Sequence, residues 1–209
     1  MKTEIAEMEK ELIATSAEKR TRIDSEFAEC PLNYVRQENL LDGTQVTIRP
    51  ICCSDKTELL AFHQRLSSDS LFLRYHYSKG QLTEEDLKNF CDIDYFNDLG
   101  LIAEVNRNGK NEIIGVGRYD RIPTDHTAEI AFIVQDSEQK KGVGTLLLRH
   151  LAILAWERGI KYFLGEILRQ NGRMISILRK SDPRMEQEVD CVSTCTVKLS
   201  VLEAMQRKR

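Results

Sequence analysis

A glycine-rich segment with two adjacent lysines is the part of the sequence best suited to bind an anionic ligand. It reads Gln139-Lys140-Lys141-Gly142-Val143-Gly144-Thr145 and lies between an apolar strand pattern and a leucine-rich helix pattern. Glycines let backbone N–H groups approach a ligand, and the first turn of the following helix adds unpaired N–H donors and the positive end of the helix dipole. Together with the lysine charges, these groups suit a pyrophosphate. An ordinary tight turn is the alternative interpretation of the same glycines.

An acidic side chain stands in the apolar strand pattern just upstream. In the stretch A-E-I-A-F-I-V (128–134), alternation places Glu129, Ala131 and Ile133 on one face of the strand. Partial burial there would raise the pKa of the Glu129 carboxyl group into the range of a general base. The alternative is an exposed or salt-bridged glutamate near the start of a strand.

The elements that position these residues predict a mixed sheet. Three apolar runs occupy residues 99–105, 112–119 and 127–134. Their links are too short for a crossover helix, so they predict an antiparallel meander. A helix between Gly142 and Gly159, followed by a strand over 161–167, then predicts a parallel pair, because strand–helix–strand requires a crossover. The fold class is therefore α/β, with the glycine-rich turn where the sheet changes direction. The turn is not a P-loop, because the G-x-x-x-x-G-K spacing is missing. A meander rather than a βαβ start precedes it, which argues against a Rossmann fingerprint.

Further elements flank this centre. Their predicted positions are a strand over 45–49, helices from Ser54 or Asp55 to Leu66, from Thr83 onward and over 171–180, and two short strands over 186–201. Residues 2–29 have apolar side chains at helical spacing and predict an amphipathic helix that covers its own domain or meets a partner, which includes a second copy in a homodimer. The chain is thus divided into an N-terminal helical extension (1–43), a main domain (44–201) and a basic tail (202–209).

Composition excludes several classes of function. The 209 residues are 41% hydrophobic and 30% charged with a net charge of -3, which gives no support to nucleic-acid binding through bulk positive charge. No apolar run approaches the length of a membrane span, and the charged first residues do not resemble a secretion signal, so we expect a cytoplasmic protein without membrane contact. The C-x-x-x-C spacing of Cys191 and Cys195 lacks a nearby histidine, so we expect no metal site.

The order of these elements around Q-K-K-G-V-G resembles the GNAT family of acyl-coenzyme A-dependent N-acetyltransferases. The family motif is Arg or Gln, two residues, Gly, any residue, then Gly or Ala, and residues 139–144 match it. The resemblance covers about 44–201 in element order and is sharpest over 128–180. The stretch A-E-I-A-F-I-V is most similar to the acetyltransferase domain of Pat-type bacterial protein-lysine acetyltransferases, and the N-terminal extension lies outside the resemblance.

The resemblance implies a GNAT fold and a set of cofactor contacts. The strand 127–134 and the next strand would splay apart, the pantetheine arm of acetyl-CoA would lie between them, and the pyrophosphate would bind the glycine-rich segment. The implied cofactor-binding residues are Phe132, Ile133, Val134, Gln139, Lys140, Lys141, Gly142, Val143, Gly144, Thr145 and Asn171. For Asn171 a plain helix N-cap is an alternative that is compatible with ligand contact.

The implied reaction is direct attack of a primary amine on the thioester of acetyl-CoA in a ternary complex. A lysine-like amine has a pKa near 10.4, so freeing it at pH 7 costs about 4.6 kcal/mol. The resemblance implies that Glu129 is the base that offsets part of this cost, directly or through water. The acceptor would be a protein lysine or a small amine. A non-catalytic acyl-CoA sensor that signals through the N-terminal helix is the alternative function.

Two departures from the family pattern concern the acceptor side. Leu178 stands where many members place a tyrosine that protonates the leaving thiolate, and Ser181-Asp182-Pro183 replaces the usual Gly-Phe. The segment Arg74-Tyr75-His76-Tyr77 corresponds to a region that often walls the acceptor site in this family, and a surface loop with aromatic packing is its alternative interpretation.

Overall fold

The computed structural model describes residues 33–123, 126–189 and 193–206. The predicted N-terminal helix and the last residues of the basic tail lie outside these ranges. The strands are β1 (Arg36–Asn39), β2 (Gln45–Pro50), β3 (Asp98–Arg107), β4 (Lys110–Arg121), β5 (Thr127–Val134), β6 (Tyr162–Leu168), β7 (Glu186–Glu188) and β8 (Thr194–Ser200). The helices are α1 (Lys56–Gln64), α2 (Ser68–Tyr75), α3 (Glu84–Cys91), α4 (Val143–Glu157), α5 (Gly172–Ser181) and α6 (Val201–Gln206).

The strands form one eight-stranded sheet in the order β1-β2-β3-β4-β5-β6-β8-β7. The pairs β3–β4 and β4–β5 are antiparallel, which confirms the predicted meander. Asn108 and Gly109 make the β3–β4 turn with φ of 55° and 83°. Two positive φ values in succession match the right-handed twist of the flanking strands, which explains why this dipeptide joins them.

The sheet changes from antiparallel to parallel between β5 and β6, as the sequence predicted, and α4 is the crossover. The parallel pairing is short: Thr127 pairs with Tyr162, Ala128 with Phe163 and Glu129 with Leu164. Beyond this point the two strands no longer pair with each other, although β5 continues to Val134 and β6 to Leu168. The splay that the resemblance implies is therefore present, and it leaves main-chain groups of β5 without a neighbouring strand.

Helices cover both faces of the sheet. On one face α4 packs closely on β4, because Gly117 has no side chain: a Cβ there would lie 2.7 Å from Phe132 Cδ1 and 3.2 Å from Leu151 Cδ1. On the other face α1 and α3 bury Leu59, Phe62 and Leu87 in a second apolar cluster. The α/β fold with a mixed sheet is confirmed.

Three elements differ from the sequence predictions. β1 lies within the segment 1–43, and its antiparallel pairing with β2 places it in the sheet. α2 occupies residues 68–75, where no helix was predicted, and α6 follows directly on β8. The two short strands predicted over 186–201 are confirmed as β7 and β8, and the helix predicted from Thr83 is confirmed with a capping box between Thr83 and Asp86.

Candidate active site

A cleft of about 540 Å³ opens between β5, α2, α5 and the start of α4. Its size lies within the range of ligand and cofactor sites. Predicted cofactor residues that line it are Phe132, Ile133, Val134, Gln139, Lys140, Gly142, Val143, Gly144, Thr145 and Asn171. The structure thus brings together every predicted cofactor residue except Lys141. Leu41, Ser70, Arg74 and Arg173 also line the cleft, and sequence analysis did not assign them to the cofactor.

The start of α4 presents hydrogen-bond donors to this cleft. The first bond at the head of the helix runs from Leu146 N–H to the Gly142 carbonyl at 3.0 Å. The N–H groups of Val143, Gly144 and Thr145 therefore have no helical carbonyl to bond. Gly142 precedes them with φ +98°, a conformation that favours glycine. Free donors and the positive end of a helix dipole at a cleft wall fit a phosphate group.

The two lysines of the glycine-rich segment have different surroundings. Lys140 lines the cleft. Lys141 instead forms ion pairs with Glu138 at 3.1 Å and with Asp42 at 3.3 Å. Glu138 is only 3% exposed and also accepts a 2.7 Å hydrogen bond from Arg107. Burial alone would raise the pKa of Glu138, but the bonds from Arg107 and Lys141 outweigh it and lower the pKa below its ordinary value. Lys141 thus neutralises the carboxylate of Glu138, which itself lines the cleft.

Gln139 ties together the elements at the mouth of the cleft. Its amide nitrogen donates to Ser70 Oγ on α2 and to the Val134 carbonyl on β5, both at 3.1 Å. Its amide oxygen accepts a hydrogen bond from Arg173 on α5. The side chain therefore fixes the spacing of the three walls, which gives Gln139 a structural task in addition to the predicted contact with a ligand.

Asn171 caps α5 and lines the cleft at the same time. Its side-chain oxygen accepts a 3.2 Å hydrogen bond from Met174 N–H, which confirms the N-cap interpretation. The side-chain amide nitrogen is the group left to donate into the cleft. Contact with a pantetheine arm stays a prediction, but the two roles are compatible because they use different atoms of the side chain.

Glu129 lies at the point where β5 and β6 separate, since its pairing with Leu164 is the last between the strands. The side chain is exposed, so the predicted partial burial is wrong and the exposed alternative holds. Asp120 lies directly opposite on β4 and pairs with Arg118 at 2.9 Å. Glu129 is therefore open to an incoming molecule at the vertex of the splay, and its role as a base stays a prediction.

A smaller cavity of about 50 Å³ occupies the gap between the separating strands, and we call it the notch. The notch is lined by Leu73, Arg74, Ile130, Ala131, Phe132, Gly165, Glu166, Ile167, Asn171, Met174 and Leu178. Leu73, Arg74, Phe132, Asn171 and Met174 line the large cleft as well, so the two spaces meet. The notch is thus the place where a ligand in the cleft would reach the neighbourhood of Glu129.

Arg74 and Tyr75 are the last residues of α2, so the surface-loop interpretation is wrong for them. His76 ends the helix in a left-handed conformation with φ 63°, and Tyr77 is 54% exposed. The sequence resemblance marked this segment as a wall of the acceptor site, without distinguishing Arg74 from its neighbours. The signal that could have located it is the pattern S-D-S-L-F-L-R-Y, in which Ser70 and Arg74 share a helix face.

Two features are absent from the described ranges. No group of three or more His, Cys, Asp or Glu side chains there is arranged to hold a metal ion. None of the helices within those ranges has the length and apolar character needed to cross a membrane.

Comparison with known proteins identifies relatives of the whole arrangement. The sequence model of the Acetyltransferase (GNAT) family matches residues 65–180, more than half of the 209 residues. An acetyltransferase of Pseudomonas aeruginosa is 29% identical over 124 residues, which cover 59% of this chain and 67% of that protein. The crystal structure of the GNAT domain of S. lividans PAT is 32% identical with a TM-score of 0.74, covering 82% of this chain and 99% of that domain. Salmonella typhimurium yncA, solved with its cofactor acetyl-CoA, is 16% identical with a TM-score of 0.58 over 75% of this chain and 94% of that one, and it shows the fold alone.

Proposed function

The chain belongs to the acetyltransferase (GNAT) family of acetyl-CoA-dependent acyltransferases, and from this premise we propose that it acetylates a primary amine with Glu129 as the base. The acceptor is a protein lysine or a small amine that reaches the notch from the exposed side of β5. Attack is direct, in a ternary complex of enzyme, acetyl-CoA and amine. The comparisons do not favour the non-catalytic sensor that sequence analysis kept as an alternative.

The observation that carries the proposal is the end of strand pairing at Glu129. Beyond it, the unpaired edge of β5 along Phe132, Ile133 and Val134 offers main-chain groups to an extended ligand. The cleft continues from there to the free N–H groups at the start of α4. A ligand with amide groups at one end and a diphosphate at the other matches this order of donors, and acetyl-CoA is such a ligand.

Acetyl-CoA would supply the electrophile, a thioester carbonyl held at the notch. The residues of this chain would then orient the reactants and move one proton. Glu129 accepts the proton from the acceptor ammonium, directly or through a water molecule, and the freed nitrogen attacks the carbonyl carbon. The new C–N bond forms as the C–S bond breaks, the sulfur leaves with the electron pair, and the nitrogen gives its second proton to water as the neutral amide forms. A base placed in this way contributes roughly 10²–10⁴-fold to such a reaction.

The test compares the wild type with Glu129→Gln in two assays. Calorimetry should give acetyl-CoA dissociation constants that agree within about twofold, because the change leaves the cleft intact. Coenzyme A release in the presence of lysine peptides and small amines should fall about 10²-fold or more at pH 7. The deficit should shrink near pH 9, where more of the amine is already unprotonated.

Glu188→Gln is the matched control, because Glu188 is an exposed glutamate on the edge strand β7 outside the cleft and the notch. It should behave as wild type. Full turnover in Glu129→Gln would remove Glu129 from the role of base. A wild-type protein that binds no acetyl-CoA would refute the proposed function as a whole.

A further inference from the structure

The cleft contains a cation for which the described residues supply no counter-ion. Arg74 lines the large cleft, the notch and a third cavity of about 30 Å³ on the α1 side of β5. Within the ranges that the structure describes, its guanidinium forms no ion pair, and its close contact is the ring of Tyr75, 5.1 Å from Cζ. Nearby arginines are paired: Arg118 with Asp120 and Arg65 with Glu58, both at 2.9 Å.

An unpaired guanidinium in such surroundings is unusual. Burial lowers the pKa of the Arg74 side chain, yet an arginine stays ionised at neutral pH. A charge that is partly removed from water and left without a partner is unfavourable, so such groups are normally paired. The arrangement is accounted for if the partner of Arg74 is an anion that arrives with the substrates or forms during the reaction.

The position of Arg74 along α2 indicates which end of a ligand it meets. Ser70 lies next to Gln139 at 3.1 Å, near the head of α4 where a diphosphate would bind. Arg74 is one helical turn further along, about 6 Å from Ser70, in the direction of the notch. It therefore faces the acyl end of the ligand, beyond the reach of the phosphate-binding donors.

The notch provides no other group that could neutralise an anion. Besides Arg74, its described lining is apolar except for Glu166 and Asn171, and it includes no lysine, histidine, tyrosine, serine, threonine or cysteine. His76 approaches Glu166 at 3.9 Å from outside the notch. The charged groups within electrostatic range of Arg74 are Arg118, Asp120 and Glu129.

We propose that Arg74 is a further catalytic residue whose guanidinium pairs with the thiolate sulfur of coenzyme A as that sulfur leaves. The inference rests on the proposed function and adds a residue for the step in which the thiolate leaves. Glu129 takes one proton from the acceptor ammonium, the C–N bond forms and the C–S bond breaks. The electron pair stays on sulfur opposite the guanidinium, and the nitrogen gives its second proton to water. Arg74 donates no proton; the thiolate takes one from water when coenzyme A is released.

The decisive experiment compares binding of coenzyme A with binding of desulfo-coenzyme A, which lacks the sulfur. A cation nearby lowers the pKa of a thiol, which is ordinarily near 8.5, by about one unit or more. For the wild type, coenzyme A affinity should therefore rise at least about fivefold between pH 6.5 and pH 8.5 relative to desulfo-coenzyme A. In Arg74→Gln this rise should be absent, while the affinity for desulfo-coenzyme A stays within about twofold and shows that the cleft is intact.

Arg173→Gln is the matched arginine variant, because Arg173 lines the cleft but not the notch. It should change the affinities for coenzyme A and desulfo-coenzyme A by the same factor. Equal losses for both ligands in Arg74→Gln, or no loss for either, would overturn the proposal. So would a wild type in which the pH dependence is the same with and without the sulfur, a result that needs no variant.

Kinetics give a second readout. Arg74→Gln should lower kcat about 10²–10³-fold with little change in the KM for acetyl-CoA, and Arg74→Lys should recover at least about tenfold because it restores a positive charge. A Lys variant no better than Gln in kcat would contradict the thiolate role. A wild type that binds neither ligand would instead refute the proposed function, so the two failures are distinguishable.

Discussion

We expect acidification to destabilise the contact between the start of the sheet and α4, where Tyr34 and Glu38 are hydrogen-bonded to His150. His150, on α4, is 3% exposed. Its Nδ1 accepts a 2.8 Å hydrogen bond from the hydroxyl group of Tyr34, and its Nε2–H donates to Glu38 Oε1 at 3.1 Å. Burial, helped by the neighbouring charge of Arg149, lowers the pKa of His150 from 6.5 to about 4. The imidazole is therefore neutral in the folded protein at neutral pH, with both nitrogens in use.

The magnitude follows from the difference between the folded and unfolded states. An unfolded histidine takes up a proton near pH 6.5, whereas the folded one resists until about pH 4. Between these values the unfolded state binds more protons, so the free energy of unfolding falls as the pH falls. The contribution of neutral His150 to the free energy of unfolding is fully present well above pH 6.5. It decreases by about 1 kcal/mol at pH 5.5 and by about 2–3 kcal/mol at pH 4.5.

Urea unfolding at pH 7.5, 5.5 and 4.5 measures this loss when wild type is compared with His150→Gln. The variant should be less stable at pH 7.5 by about 1–3 kcal/mol, because the Tyr34 hydroxyl loses its acceptor, and its further loss on acidification should be smaller by the amounts above. His126→Gln, at an exposed histidine, is the control and should follow the wild type. Parallel pH profiles for wild type and His150→Gln would refute the reasoning.

Two further outcomes concern the cleft. Gly142→Ala forces a side chain into φ +98°, so we expect a loss of about 1–2 kcal/mol in urea unfolding and about tenfold weaker acetyl-CoA binding by calorimetry, because the donors at the head of α4 shift. Asp136 accepts hydrogen bonds from Ser67 N–H at 3.0 Å and from the hydroxyls of Ser67 and Ser70 at 2.7 and 2.8 Å. Burial alone would raise the pKa of Asp136, but these hydrogen bonds outweigh it and lower the pKa. Asp136→Asn should therefore cost about 1 kcal/mol at pH 7 in this exposed position, and the difference from wild type should vanish as the pH falls through that lowered pKa.

Much of the sheet was predictable from the sequence because its signals are local. Links too short for a crossover fixed the antiparallel meander, and the leucine-rich helix between β5 and β6 fixed the parallel pair. β1 was missed because Arg36–Asn39 is a polar edge strand without alternation, held by main-chain pairing to β2. α2 was missed because part of its N-terminal stabilisation is not local: Asp136, far along the chain, bonds Ser67 and Ser70.

The residues of the candidate site were also predictable where their signal is local in the sequence. The glycine-rich segment and Asn171 lie where their sequence context placed them. The pairing of Lys141 with Glu138 and Asp42 could not be inferred, since it depends on how the chain before β2 folds back over the head of α4. The position of Arg74 could not be inferred either, because its place at the notch follows from the packing of α2 on β5.

The two halves of the site are positioned by a single short turn. Asp136 and Glu138 belong to one 3₁₀ turn after β5, and they bond in opposite directions. Asp136 holds the start of α2, and so sets where Arg74 meets the notch. Glu138 holds Lys141, whose carbonyl accepts a 2.9 Å hydrogen bond from Leu41 N–H and braces the segment that leads into α4. The two ends of the cleft are thus set from two carboxylates on one turn, so we expect a change in Asp136 or Glu138 to affect one end of a bound ligand more than the other.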